Sequence, residues 1–121
     1  MTIGELLRNL RMAKPDVSVR YDFCGMFPTT VDSSRGDYAR PALGWACPDD
    51  LDNYPTVADL IVELEKAVDG RLYHGYKGGE YVYTTGSQLC VDNWGQWTST
   101  ELRYVSVDDY EVILHTIRAE D

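Results

Sequence analysis

Residues that build metal centres or disulfide frameworks are scarce in this chain: its 121 positions hold three cysteines and two histidines. Cys24, Cys47 and Cys90 leave an odd thiol under any pairing, and their spacing matches no zinc module, so they read as reduced, semi-buried small hydrophobes. His74 and His115 have no second His or Cys at ligand spacing, which argues against a transition-metal site. No metal and no cofactor is expected. Long apolar runs are also lacking, which excludes a membrane-spanning helix. The opening stretch carries Glu5 and Arg8 within its apolar residues and shows no small-residue cleavage site, unlike a secretory signal, so the expected location is cytoplasmic. Positive charge is in short supply, with 11 Lys and Arg against 20 Asp and Glu and a formal charge of -9. The deficit is concentrated in residues 49–70, where Lys66 faces seven carboxylates, and in residues 108–121. With no basic stripe, duplex nucleic acid is not an expected partner, because counterion release needs clustered cations. A small phosphorylated ligand needs only two or three.

What the chain does have is 44% hydrophobic residues and 12% aromatics, enough for one domain over residues 1–121 with its own core. Thr2 with Glu5 forms a capping box ahead of Ile3, Leu6, Leu7 and Leu10, which predicts a helix over about residues 3–13. Val17, Val19, Tyr21 and Phe23 alternate with polar residues as a strand does. Residues 24–54 keep neither period for long and hold short strand signals at 29–31 and 42–45. Thr56 and Asp59 open a second helix over 56–69, with Leu60, Ile61 and Leu64 on its apolar face and Gly70 at its C-cap. Runs at 80–84, 87–92, 101–107 and 110–116 read as strands, the last two joined through Asp108 and Asp109. The expected class is α+β, with two helices on one face of a mainly antiparallel sheet of about five strands. The expected core includes Leu6, Leu7, Leu10, Val19, Tyr21, Leu60, Ile61, Leu64, Val91, Val112 and Leu114.

Three polar segments could carry chemistry. RLYHGYKGGEYVY places Tyr73, His74, Tyr76 and Lys77 around Gly78 and Gly79. Glycines let backbone N–H groups approach an anion, lysine adds charge, and tyrosines offer flat faces to a base. An aromatic-rich hairpin loop is the alternative. Residues 29–45 carry Arg35 and Arg40, suited to a carboxylate or phosphate fork, unless they pair with Asp32 and Asp37. Trp94 and Trp97 lie in a polar loop where exposed indoles favour a binding surface, with packing over the sheet end as the other possibility. Hydrolytic readings have less behind them. His74, His115 and Lys77 could serve a phosphodiesterase as base, acid and clamp, but His115 lies in the apolar run YEVILHTI, where a structural histidine is common. Gly86-Ser87 lacks the GxSxG elbow of a serine hydrolase.

The segments TIGELLRNL, VRYDF, TTVDSSRGDYARPALGW, YPTVADLIVELEKAVDGR, YHGYKGGEYVY and YEVILHT give the chain a likeness to small proteins of unassigned function encoded by tailed phages. That resemblance implies a viral protein acting in the host cytoplasm as a counter-defence factor. Such factors include sponges that sequester an immune signalling nucleotide and inhibitors that bind a defence protein. The expectation is a non-enzymatic, anti-defence nucleotide-binding sponge whose ligand contacts are Arg35, Arg40, Tyr73, His74, Tyr76, Lys77, Gly78, Gly79, Trp94 and Trp97. The alternative is an acidic inhibitor that presents Asp59 to Asp69 and the acidic C-terminal segment to a basic partner. So small a domain has little room for an enclosed cavity, so a homo-oligomer with a site between subunits is expected.

Overall fold

Each helix forms where a capping box meets an apolar stripe. The computed structural model describes residues 1–34, 40–75, 78–92 and 100–118. Helix α1 spans Ile3–Leu10 and helix α2 spans Val57–Ala67. At α1, the Glu5 N–H donates to Thr2 Oγ1 and the Thr2 N–H donates to Glu5 Oε1, both at 3.1 Å. At α2, the Asp59 N–H donates to Thr56 Oγ1 at 3.3 Å and the Thr56 N–H to Asp59 Oδ2 at 3.0 Å. Each N-cap is worth about 1 kcal/mol. Helix α1 ends earlier than its apolar pattern suggested, and the chain continues to Ala13 through turns closed by bonds from Arg11 to Leu7 and from Ala13 to Leu10. Gly70, just after α2, has φ +74°, a left-handed conformation that glycine adopts without steric cost.

The strands are β1 (Ser18–Tyr21), β2 (Phe27–Ser33), β3 (Pro41–Ala46), β4 (Leu72–His74), β5 (Glu80–Val82), β6 (Cys90–Val91), β7 (Thr100–Val107) and β8 (Glu111–Arg118), with a 3-10 turn at Pro48–Asp50. Six of them form one sheet in the order β1-β8-β7-β6-β3-β2, and β4 with β5 forms a separate hairpin. The fold is α+β. The two helices touch each other, α2 lies against β1 and β2, and α1 lies against β7. The sheet is larger than the five strands expected and is mixed. Antiparallel pairing joins β2 to β3, β6 to β7 and β7 to β8, whereas β1 runs parallel to β8 and β3 parallel to β6. Strand β4 has only three residues, too few for a pattern of period two to register.

Register sorts the side chains between two faces. Val19, Tyr21, Leu43, Val91, Leu102, Val112 and Leu114 turn into one core with Ile3, Leu6, Leu7, Leu10, Leu60 and Leu64. All the expected core residues are buried except Ile61, which is partly buried at the margin. Tyr21 is fully buried, and its hydroxyl donates to the Gly44 carbonyl at 2.8 Å, so a polar tip is satisfied inside the apolar layer. Of the cysteines, Cys90 is buried, Cys47 is intermediate and Cys24 is exposed rather than semi-buried, and all three are free thiols.

Two bulges interrupt the ladders. In β2, Thr29 and Thr30 together stand where β3 offers only Gly44, because pairing steps from Pro28 with Trp45 to Val31 with Leu43. In β7, Arg103 is the extra residue, because pairing steps from Leu102 with Thr116 to Tyr104 with His115. A bulge re-aims the side chains that follow it, and here it sets Tyr104 directly across from His115 on the face turned away from the helices.

Candidate ligand site

Arg40 joins the described parts of two of the polar segments, residues 29–45 and 71–83, to strand β7. Its Nη1 donates to Glu101 Oε1 at 2.6 Å, its Nη2 pairs with Glu101 Oε2, and its Nε donates to the Gln88 carbonyl at 3.3 Å. Its own carbonyl accepts the Tyr83 hydroxyl at 3.4 Å, and that hydroxyl also meets Ser33 Oγ at 2.8 Å. The Tyr83 ring lies 4.8 Å from that of Tyr73, over which the Arg71 guanidinium sits at 5.0 Å. Burial raises the pKa of both phenols, so they stay protonated, and Tyr83 donates to the Arg40 carbonyl. The sequence offered Asp32 and Asp37 as partners for the arginines. Arg40 takes Glu101, from a strand 61 residues away, as one partner, and this bidentate pair ties β7 to the start of β3; Arg35 and Asp37 lie outside the described residues.

His74 is exposed on β4 and is paired across the hairpin with Glu80. Gly78 and Gly79 have φ +109° and +85°, and the turn they form is closed by bonds from the Gly78 N–H to the Gly75 carbonyl and from the Gly75 N–H to the Gly79 carbonyl, each 3.0 Å. Tyr73 is buried, so its ring is a packing surface rather than an open platform. Arg35, Tyr76, Lys77, Trp94 and Trp97 lie outside the described residues. Of the named contacts, the structure therefore places Arg40, Tyr73, His74, Gly78 and Gly79. Arg40 and Tyr73 are joined through Tyr83, while His74, Gly78 and Gly79 sit further out on the hairpin.

A second feature was not legible from sequence. A groove of about 840 Å³ runs between the outer faces of α1 and α2, with Leu7, Val62 and Val68 along it and Thr85 at its edge. Three cations line it, Arg8 and Arg11 from α1 and Lys66 from α2, together with Glu65 and Asp69. Arg8 has no carboxylate within ion-pair distance among the described residues. Arg11 approaches Glu65 at 3.9 Å and Lys66 approaches Glu63 at 3.8 Å, and the Arg11 and Glu65 side chains are 58% and 56% exposed. Pairs this open contribute little stability and exchange partners readily. The groove is placed by backbone bonds from the Ile3 N–H to the Ser87 carbonyl at 3.0 Å and from the Gly4 N–H to the Thr85 carbonyl at 2.8 Å, which dock the start of α1 against the turn before β6. Helical periodicity puts Arg8 and Arg11 on one stripe of α1, but nothing in the sequence says that α2 will bring Lys66 alongside.

On the opposite side of the molecule, Ser106 Oγ meets His115 Nε2 at 2.9 Å. His115 Nδ1 faces Asp22 Oδ2 at 3.8 Å, and the imidazole stacks on the Tyr104 ring with centroids 4.2 Å apart. Sequence reading treated His115 as structural and gave Ser106 no role, because a bulge and a pairing across 93 residues are needed to assemble this group.

Among the described residues, no helix is long and apolar enough to cross a membrane, and no group of three His, Cys, Asp or Glu side chains could hold a metal ion. No protein-family model matches the chain, and no significant match exists among curated proteins or solved structures.

Proposed function

We propose that the chain is a binding protein that holds a small anionic nucleotide without cleaving it, in the manner of a phage-type sponge for an immune signal, and that the phosphates lie in the groove between α1 and α2. The observation that carries this reading is the gathering of Arg8, Arg11 and Lys66 along a groove of about 840 Å³ in a chain of charge -9. That volume lies in the range of small-molecule sites, roughly 300–1,000 Å³. Phosphate oxygens can replace Glu65 on Arg11 and Glu63 on Lys66 at low cost, since both pairs are long and their cations are solvent-exposed, and among the described residues Arg8 has no carboxylate within ion-pair distance. Leu7, Val62 and Val68 provide an apolar surface for a base. The surrounding acidic surface repels long polyanions while leaving room for one or two phosphates.

Titration calorimetry with cyclic mononucleotides and cyclic dinucleotides tests the reading, followed by heating and assay of the released ligand. Binding with intact release is expected. Arg8→Ala and Arg11→Ala should each weaken it about ten- to a hundredfold, as loss of a charge-assisted contact worth about 1.5–3 kcal/mol implies, with melting temperature held. Failure of the wild-type chain to bind any of these nucleotides overturns the proposal. Recovery of cleaved ligand replaces it with a phosphodiesterase. Weakening by Arg40→Ala alone moves the site to the loop end of the sheet.

A further inference from the structure

The group around His115 lies on the sheet face turned away from the helices, and its chemistry goes beyond nucleotide binding in the groove. Strands β7 and β8 contribute to it, with Asp22 from the residue just after β1. Register aligns Arg20, Ile113 and Ser106 across β1, β8 and β7, with Tyr104 and His115 paired two rungs along, on the same face. The Asp22 carboxylate is fixed by the Thr116 N–H at 3.0 Å and the Thr116 Oγ1 at 2.6 Å, which leaves Oδ2 beside His115 Nδ1. The imidazole is thus held on three sides: by Ser106 at one nitrogen, by Asp22 near the other, and by the Tyr104 ring, 12° from parallel, against its plane. A hydroxyl in hydrogen-bond reach of a base that is itself oriented by a third group is the arrangement that activates a serine nucleophile.

We propose that Ser106 is a nucleophile for acyl transfer, with His115 as its general base and Asp22 as the residue that positions the imidazole. The side chains of His115 and Asp22 are 24% and 29% exposed, so a small substrate can reach the group. In the first step Ser106 Oγ bonds to the acyl carbon and passes its proton to His115 Nε2. The carbon–oxygen bond to the leaving group then breaks, and His115 returns the proton to the departing oxygen. Water, deprotonated by the same imidazole, hydrolyses the acyl-serine and restores the hydroxyl. From Leu102 to Val107, the edge of β7 away from β8 has no strand partner among the described residues, so its outward N–H groups are not consumed by a ladder. The substrate class proposed is a small ester with a good leaving group rather than a peptide amide.

The test is labelling of the intact chain with a fluorophosphonate, with the modified peptide located by mass spectrometry, beside hydrolysis of p-nitrophenyl acetate. The expected result is phosphonylation at Ser106, abolished in Ser106→Ala and slowed about 100-fold or more in His115→Gln, the scale of general-base assistance. Asp22→Asn should lower kcat and leave KM unchanged. Absence of label on Ser106 in the wild-type chain overturns the proposal, as does a folded His115→Gln variant that labels at the wild-type rate. Should His115→Gln fail to fold, Ser106→Cys decides: the introduced thiol must react with iodoacetamide faster than the exposed Cys24 thiol of the same chain, and a slower reaction refutes the activation.

Discussion

Gly44 stands opposite the bulge of β2, and no side chain fits there. A Cβ at this position would overlap Thr29 Oγ1 and lie 3.2 Å from the Thr30 carbonyl oxygen, while the Thr29 Cβ would be an unstrained 3.8 Å away. The obstruction is therefore mainly one hydroxyl. Gly44→Ala gains roughly 0.4–1 kcal/mol by restricting the unfolded chain and loses about 1–3 kcal/mol to overpacking. The expected net destabilisation is about 1–2 kcal/mol. Unfolding entropy near 2.1 cal/mol/K per residue comes to roughly 0.25 kcal/mol/K for this length, so the melting temperature should fall by about 4–8 °C. Removing the obstacle reverses the sign: in a Thr29→Ala background, the same glycine substitution should be neutral or stabilising. Urea unfolding of the wild-type chain, both single variants and the double variant gives the coupling energy directly, with constant m-values confirming that only stability has changed. Equal cost of Gly44→Ala in both backgrounds would show that the Thr29 hydroxyl is not the obstacle and would refute the reasoning.

Arg40→Ala should destabilise by about 1.5–3 kcal/mol, the range for hydrogen bonds to a charged group, and the Arg40→Ala, Glu101→Ala double variant should cost less than the sum of the singles, because neither charge is then left alone. Denaturant melts check this, and strict additivity would show that the fork contributes no coupling. Asp108 accepts from the N–H groups of Tyr110 at 2.7 Å and Glu111 at 2.8 Å, and these bonds hold its carboxyl below the usual value of 3.8. Its contribution is present above pH 3.8 and is lost as pH falls through the lower folded-state value. Wild type should therefore outlast Asp108→Ala in thermal melts at pH 7 and converge with it in strong acid; a gap independent of pH would contradict the role of the ionised carboxylate.

Local order in this protein was legible in the sequence wherever neighbouring residues determine it. Both capping boxes, the apolar stripes of α1 and α2 and the Asp108 turn are interactions among residues three or four apart, and each is found in place. Pairings across long stretches of chain were not legible. Alternation in Val19 and Tyr21 says that β1 has one buried face, but not that its neighbour is β8 or that the two run parallel. The Arg40–Glu101 fork, the meeting of Arg8 and Arg11 with Lys66, and the Ser106–His115–Asp22 group share this property. Each depends on which elements become neighbours, and in β7 on a one-residue bulge that shifts every later side chain relative to β8.

The parallel pairing of β1 with β8 also governs the order in which the chain can fold during its synthesis. Strand β1 occupies an edge of the sheet, and β8 is its sheet neighbour. Closing that contact between segments about 90 residues apart costs roughly 4 kcal/mol of chain entropy by the logarithmic loop law, before any constant term. Until the ribosome has released β8, the covered faces of Val19 and Tyr21 lack their strand partner, and α1 and β1 wait with apolar surface uncovered. Folding of this sheet is then sealed by the arrival of β8, which favours slow completion governed by long-range contacts over growth outward from α1.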